Sequence, residues 1–290
     1  MKTVRAERVW RCCDRPIALG GPLVMGIVNV TPDSFSDGGL FSDPVRAVEH
    51  GLRLVDEGAD LLDVGGESTR PGADEVSEAE ELRRVIPVVR GLCGGCGVPV
   101  SIDTRRAAVA REAIAAGARI VNDVMPLAEG PDMKEVVRES GCGLVTMHMR
   151  GTPRTMLTQA SYDDVVTEVE NFLAAALKLC AESGIAPERV VIDPGIGFAK
   201  TTAQNLELMA AIPRLARLAP VLIGASRKRF IGELCGEPTA AERVGGSVGA
   251  AVWCALRGAA VIRAHDVKAT RQALTVTGEL AKRAAEDDNV

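Results

Sequence analysis

Aromatic side chains are scarce in this chain of 290 residues, which contains five Phe, two Trp and one Tyr. Proteins that bind single-stranded nucleic acids stack the bases on aromatic rings, so this kind of binding is poorly supplied here. The hydrophobic core must instead be built from Ala, Val, Leu and Ile. Such aliphatic cores are typical of parallel barrels.

Basic residues are not in excess either. The 34 Lys and Arg residues are outnumbered by 39 Asp and Glu, which gives a formal net charge of −5. This balance argues against a nucleic acid or a membrane surface as a partner, and any anion site must be local. No segment has the length and apolar character of a signal peptide or a membrane span, which predicts a cytoplasmic location.

A disulfide framework is also missing. The eight cysteines are scattered along a chain that is too long to need disulfides, and we expect mostly buried free thiols. Cys93-Gly-Gly-Cys96 has a metal-binding or redox spacing, but it lacks a second pair of ligands. A structural role for these two thiols is therefore preferred over a functional one.

Short apolar segments alternate with longer segments of helical period along the whole chain, a pattern typical of strand–helix units around a parallel sheet. The predicted strands are Leu23–Val30, Leu61–Val64, Val98–Asp103, Ile120–Asp123, Gly143–His148, Val190–Asp193, Val221–Gly224 and Val261–Ala264. Eight units predict an α/β protein with a (β/α)8 barrel over residues 23–290, preceded by an N-terminal extension, 1–22, that caps one end. Two of the predicted helices are long and unbroken, Ala203–Leu218 and Arg229–Gly258.

Acidic and amide side chains end three of these strands, where the active site of such a barrel is built. They are Asp103, Asn122 and Asp193. Carboxylates and a carboxamide held in an apolar pocket suit a planar heterocycle with a guanidine-like edge, such as a pterin. For Asp103 an alternative is equally open, namely the N-cap of the helix that begins near Ala107.

Cationic side chains follow the seventh and eighth strands, the two loops where barrels commonly bind phosphate. Lys228, Arg263 and His265 therefore predict a local site for a strongly anionic group. At least one of Arg227 and Arg229 is expected to be a solvated surface charge instead.

The first two strands end in segments rich in Asp, Ser, Thr, Gly and Pro, over 29–39 and 63–72, although no separate role is assigned to Asp63. They have the composition of substrate-covering loops, although ordinary turns use the same residues. His148 stands at the end of the fifth strand and could line the pocket, but a single His does not make a metal site. His50, within a helix, is expected to be structural or exposed.

Several of these segments resemble the signatures of one known family, the dihydropteroate synthases. The matching motifs are Gly26–Gly39, Gly65–Ala73, Ser101–Thr104, Asn122–Val124, Met147–Met149, Asp193–Thr201, Ser226–Lys228 and Arg263–Val267. They occur in family order from about Val24 to the final helix. One departure is Met125-Pro126-Leu127, which replaces a smaller turn and could alter the rim of the pocket.

The resemblance implies a reaction in which the amine of 4-aminobenzoate attacks the methylene of a 7,8-dihydropterin-6-ylmethyl diphosphate and diphosphate leaves. It implies no protein nucleophile, so positioning and charge stabilisation carry the catalysis. It also implies Mg²⁺ as cofactor and a homodimer formed through barrel helices away from the mouth. The response to sulfonamides, which mimic 4-aminobenzoate, stays open.

The same resemblance assigns individual residues. The pterin and its diphosphate would be bound by Thr69, Asp103, Asn122, Asp193, Lys228, Arg263 and His265. The 4-aminobenzoate pocket would be shaped by Thr69, Pro71, Phe198 and Ser226. Asn29 would coordinate Mg²⁺. Catalysis would depend on Asp103 and Lys228 in the pocket and on Asp33 and Arg70, which would order the two loops.

Two other hypotheses compete with this one. A pterin-dependent methyltransferase barrel could share the acidic pterin pocket, but it would not need the two loop signatures or the diphosphate cations. A catalytically silent relative could bind a pterin alone. The joint presence of Asn29, Asp33, Arg70, Lys228, Arg263 and His265 argues against it.

Overall fold

The computed structural model describes residues 8–31, 44–68, 75–124, 131–152 and 155–287. A two-stranded hairpin, β1 (Val9–Cys12) and β2 (Arg15–Ala18), precedes the main sheet. The main sheet contains β3 (Leu23–Asn29), β4 (Leu61–Gly65), β5 (Val100–Asp103), β6 (Ile120–Asp123), β7 (Gly143–Met147), β8 (Val190–Asp193), β9 (Leu222–Ile223) and β10 (Val261–Ala264).

These eight strands are parallel, in the order β8-β7-β6-β5-β4-β3-β10-β9. A parallel bridge between Ile192 and Val221 joins the two ends of the order and closes the ring. The predicted (β/α)8 barrel is thereby confirmed. All eight predicted strands are present, although β5 begins at Val100 rather than Val98 and β9 is only two residues long.

Helices connect the strands around the outside of the ring. They are α1 (Pro44–Asp56), α2 (Glu78–Gly95), α3 (Ala107–Ala115), α4 (Pro131–Ser140), α5 (Val165–Glu182), α6 (Thr202–Ala210), α7 (Ile212–Leu215), α8 (Arg229–Cys235), α9 (Val244–Leu256) and α10 (Val267–Asp287). The side chains of the strands that face these helices belong to one large aliphatic cluster, which includes Leu62, Val121 and Ile262.

The prediction of Ala203–Leu218 and Arg229–Gly258 as two unbroken helices was wrong. The first divides into α6 and α7 at Ala211, because Pro213 has no N–H to continue the helix ladder. The second divides into α8, a short 3-10 turn at Ala240–Glu242, and α9. Gly236 ends α8 in the left-handed conformation, with φ of 68°.

The interior of the barrel is layered. Four apolar residues near the N-terminal ends of alternate strands share a buried cluster with Trp10 of the hairpin; we call them the basal layer: Leu61, Ile120, Val191 and Val261. Side chains two positions apart on a strand lie on the same face. The next interior positions on the same strands form what we call the mouth layer: Asp63, Asn122, Asp193 and Arg263.

The N-terminal hairpin covers the basal end of the barrel. The indole of Trp10 is fully buried beneath the basal layer, and its Nε1–H donates to the carbonyl of Arg189 at 2.9 Å. Cys13 N donates to the carbonyl of Gly141 at 2.8 Å. The hairpin closes this end, so the interior is reached from the mouth.

Candidate active site

Arg263 links the carboxylates of the mouth. Its Nε donates to Asp63 Oδ2 at 2.6 Å and its Nη2 to Asp103 Oδ2 at 2.8 Å. Asn122 Nδ2 donates to the same Asp63 oxygen at 3.0 Å. The structure therefore brings together three residues predicted from the sequence, Asp103, Asn122 and Arg263, around a fourth that was not predicted, Asp63.

Asp103 does not cap the helix that follows it. The N-cap position of α3 is Arg106, and the Asp103 carboxylate is bonded to Arg263 across the barrel. Burial raises the pKa of Asp103 to about 7, against the opposing charge of Arg263, and Asp63 and Glu81 raise it further. The alternative N-cap role is excluded.

Asp193, which is buried, and Lys228, which is partly buried, lie close enough to affect each other's pKa. Burial lowers the pKa of Lys228 to about 8, although the neighbouring Asp193 favours the charged ammonium. Burial raises the pKa of Asp193, which Lys228 and a hydrogen bond from Gly195 N to Asp193 Oδ1, 2.7 Å long, oppose. Perturbed pKa values of this kind cluster at functional sites.

The loop after β8 shapes the site around Lys228. The Nζ of Lys228 donates to the carbonyl of Ile196 and lies 4.1 Å from the centroid of the Phe198 ring, which is a cation–π contact. Gly197 has a φ of +84°, and a Cβ there would lie 2.6 Å from Lys228 Cδ. Glycine is needed at this position both for the conformation and for the close approach of the lysine.

Lys200 clamps this loop from inside. Its buried Nζ donates to the carbonyls of Gly195 and Phe198 at 3.0 and 2.9 Å and lies 3.0 Å from His148 Nδ1. Burial lowers the pKa of Lys200 to about 7, although Asp193 favours its charge. Burial, assisted by Lys200, lowers the pKa of His148 to about 3, so His148 is neutral at physiological pH.

His265 and Ser226 meet at the ends of β10 and β9. The backbone N of His265 donates to Ser226 Oγ at 3.2 Å, and His265 Nδ1 lies 3.0 Å from the same oxygen. Arg227 pairs with Asp266, whereas Arg229 pairs with Glu233 and is exposed. The expectation of a surface charge is therefore met by Arg229.

The base of the second loop is held by charged side chains. Glu67 pairs with Arg105 and Arg106, and its Oε1 accepts from Val76 N at 3.0 Å. Arg106 also pairs with the buried Glu81. The network joins the two described ends of this loop to the segment that follows Asp103.

Some predicted residues lie outside the described residues. These are Asp33, Thr69, Arg70, Pro71 and the segment Met125-Pro126-Leu127. Asn29 is described; it is half-buried at the end of β3, where it pairs in register with Gly65 of β4. Its neighbourhood therefore belongs to the mouth of the barrel.

Within the described part of the chain, no group of three or more His, Cys, Asp or Glu side chains is placed to hold a metal ion. Cys93 and Cys96 are free and half-buried, and burial raises the pKa of Cys93 to about 11. Such a thiol is poorly suited to redox chemistry or metal binding, which supports the structural interpretation.

Sequence reasoning missed Asp63 and Lys200. Asp63 had a detectable signal, because it stands two residues after the apolar Leu61 in the same relation that Asn122 has to Ile120 and Arg263 to Val261. Lys200 lies within the matching motif Asp193–Thr201, but it was given no role, since a lysine that follows a turn is ordinarily exposed. Its burial depends on the path of the loop between β8 and α6.

The mouth presents a defined chemical surface. Asp103 and Asp193 are acceptors, Asn122 supplies an amide, and Lys228 and Arg263 are cationic donors, all around one end of a closed apolar barrel. Such a surface can bind a flat heterocycle that carries both donors and acceptors, together with an anionic substituent.

The chain was compared with known proteins. The model of the family described as "Pterin binding enzyme" matches residues 25–265. A protein of Neisseria meningitidis serogroup B named dihydropteroate synthase is 48% identical over 277 residues, 93% of this chain and 97% of the relative.

Two solved structures from Xanthomonas albilineans are also similar. The dihydropteroate synthase with 4-aminobenzoic acid is 49% identical, covers 95% of this chain and 99% of its own, and superposes with a TM-score of 0.90. The same species' enzyme in complex with 7,8-dihydropteroate is 47% identical over 94% of this chain and 98% of its own, with a TM-score of 0.86. In the described residues, no helix is long and apolar enough to span a membrane.

Proposed function

This chain belongs to the pterin-binding enzymes and, among them, to the dihydropteroate synthases. We propose that different residues at its mouth bind the pterin diphosphate and the 4-aminobenzoate. The enzyme condenses 7,8-dihydropterin-6-ylmethyl diphosphate with 4-aminobenzoate and releases diphosphate and 7,8-dihydropteroate. The new C–N bond replaces the C–O bond to the diphosphate, and the amine gives up a proton.

The observation that carries the assignment of the pterin is the ring of buried polar groups at the mouth. Asp193 accepts N–H bonds from the guanidine-like edge of the pterin, and Lys228 donates to its ring acceptors. Asn122 and Asp103 complete the pocket from β6 and β5. The carboxylates also favour positive charge that develops at the pterin methylene.

Arg263 and His265 take the diphosphate. Arginine has five N–H donors. Arg263 uses one on Asp63 and one on Asp103, which leaves donors for phosphate oxygens. A cation that is already fixed by two carboxylates stabilises the departing diphosphate with little reorganisation.

The 4-aminobenzoate pocket is formed by Phe198 and Ser226, together with Thr69 and Pro71 of the second loop. Phe198 is held by Lys200 and by the ammonium of Lys228. Asp33 and Arg70 order the two loops over the bound substrates, and their role lies in turnover rather than in pterin affinity.

Mg²⁺ binds with the diphosphate, and Asn29 supplies an amide oxygen to it. Such a site would need few protein ligands, because Mg²⁺ is often held by one or two protein ligands and by substrate phosphates. When bound, the ion would supply charge neutralisation at the diphosphate.

The protein works as a homodimer in the cytoplasm. Exposed apolar side chains on α9 and α10 support the dimer: Trp253, Leu256, Val276 and Leu280. The two helices pack against each other, and apolar side chains exposed on neighbouring helices suit a protein interface. The free state of all eight cysteines suits a reducing compartment.

The experiment that tests this function measures diphosphate release and dihydropteroate formation by the purified protein, with pterin diphosphate and Mg²⁺, with and without 4-aminobenzoate. We expect release that is coupled to dihydropteroate. Tight pterin binding with no product would contradict the synthase activity and favour a methyltransferase or a silent pterin-binding relative. Mg²⁺ removal by a chelator, reversed by added Mg²⁺, tests the cofactor separately.

A further inference from the structure

Asp63 is the member of the mouth layer to which neither substrate has been assigned. It lies on β4, its side chain is fully buried, and it stands directly above Leu61 of the basal layer. The basal layer shows that an apolar side chain fills this strand face well. A buried charge one layer higher is therefore not required by the packing of the barrel.

The Asp63 carboxylate is bonded from both sides. Arg263 reaches it from β10 and Asn122 from β6, and both donate to the same oxygen, Oδ2. Its other oxygen, Oδ1, is buried and accepts no hydrogen bond from the described residues. A buried acceptor left in this way is costly, and in a native protein it calls for a functional explanation.

An ionised carboxylate can only accept hydrogen bonds, which fixes the orientation of both partners. The Asn122 amide must turn its NH₂ group towards Asp63, so its carbonyl oxygen faces elsewhere. The Arg263 guanidinium is held through Nε, with Nη2 on Asp103. Without Asp63, the amide could rotate by half a turn and the guanidinium could shift towards Asp103.

We propose that Asp63 is a positioning residue that fixes the Asn122 amide and the Arg263 guanidinium for the pterin diphosphate without touching it. The inference rests on the proposed roles of Asn122 and Arg263 in binding that substrate. In this role, Asp63 determines which donors and acceptors of Asn122 and Arg263 face the pocket. It thereby contributes to the preference for one heterocycle over another.

The first test is Asp63→Asn, which keeps the shape and removes the charge. We expect KM for the pterin diphosphate to rise about tenfold, as for the loss of one charge-assisted contact, while KM for 4-aminobenzoate stays within about twofold. An equal rise in both, or a change in neither, overturns the proposal. Circular dichroism and thermal melting establish that the variant is folded.

Asp60→Asn is the matched control. Asp60 immediately precedes β4 and is also bonded to an arginine and to a backbone N–H, by Arg271 and by Val24 N. It lies outside the mouth. This variant should keep both KM values; if it raises KM for the pterin diphosphate as much as Asp63→Asn does, a general loss of stability explains both and the proposal fails.

A double-mutant cycle separates this inference from the function on which it rests. Asn122→Ala alone should weaken binding of the pterin diphosphate, measured by calorimetry; if it does not, the proposed pterin site fails. In the Asn122→Ala background, Asp63→Asn should reduce the affinity for the pterin diphosphate clearly less than it does in the wild-type protein, because part of its effect depends on Asn122. If Asn122→Ala does weaken binding but the effects of the two substitutions are additive, the positioning role of Asp63 is overturned and the pterin site stands.

Discussion

The two ends of the barrel interior are built by the same four strands, only two residues apart, yet they differ in chemistry. The basal layer is apolar and packs on Trp10, whereas the mouth layer is ionic and hydrogen-bonded. The basal layer is buried, and so are three of the four mouth-layer residues, with Arg263 partly buried. The difference teaches that burial alone does not separate the core from the site, and that one end holds the fold together while the other holds costly charges in place.

Removing the indole should give the largest effect, and at the basal end only. Trp10→Ala leaves a cavity beneath the basal layer and loses the bond to Arg189, so we expect the free energy of unfolding to fall by about 3 to 5 kcal/mol. Urea denaturation measures this loss. Pterin affinity, measured on the folded fraction, should stay the same; a parallel loss would mean that the two ends are coupled.

Asp193→Asn, at the mouth, should lower pterin affinity and leave the free energy of unfolding nearly unchanged. Loss of a charge-assisted contact with the pterin should weaken pterin binding by roughly 2–3 kcal/mol, or about 100-fold, with little loss of stability. Isothermal calorimetry with a pterin ligand gives the affinity. An unchanged affinity would remove Asp193 from the pterin pocket.

The buried ammonium of Lys200 predicts a pH dependence of stability. Burial depresses its pKa to about 7 in the folded protein, below the ordinary value of 10.5. The unfolded chain therefore binds more protons between about pH 7 and pH 10.5, and folding is favoured as the pH rises through this window. The free energy of unfolding should rise over this window relative to that of Lys200→Met.

Urea denaturation at several pH values checks this difference. Lys178→Met, which removes an exposed lysine of α5, is the matched control and should follow the wild-type pH dependence. If the wild-type protein and Lys200→Met respond alike to pH, Lys200 titrates normally and its charge is not constrained by the loop after β8.

The smallest binding effect is expected for the second loop. Arg70→Ala should lower kcat by roughly tenfold and leave pterin affinity nearly intact, because ordering a loop affects turnover more than the binding of the first substrate. Steady-state kinetics and calorimetry on one preparation make the comparison. Equal damage to both quantities would place Arg70 in the pterin pocket.

Much of the barrel could be predicted because its strands are short apolar segments bounded by turn residues, and all eight were found within two residues at each end. The helices Ala203–Leu218 and Arg229–Gly258 were predicted as unbroken because apolar residues continue beyond Pro213 and beyond Gly236. Periodicity reports which face is buried, whereas the missing N–H of Pro213 and the left-handed C-cap at Gly236 interrupt the helical backbone.

The site was predictable where a polar residue ends a strand. Asp103 and Asp193 are the last residues of their strands, Asn122 and Arg263 are the last but one, and the barrel brings these strand ends together. The sequence did not predict that Arg263 is bonded to two carboxylates, because those pairs join residues 200 and 160 positions apart. Lys200 was missed for a related reason, since its partners are set by the path of a loop.

The bond between Trp10 and Arg189 spans 179 residues, and the basal layer that covers the indole is completed only by Val261. The hairpin is therefore synthesised before the strands that it covers, and its contacts form only after those strands have been made. Throughout most of synthesis its indole has no finished surface to pack on. The protein therefore cannot fold strictly in order from its N-terminus. The hairpin packs on the barrel only when the ring of strands closes.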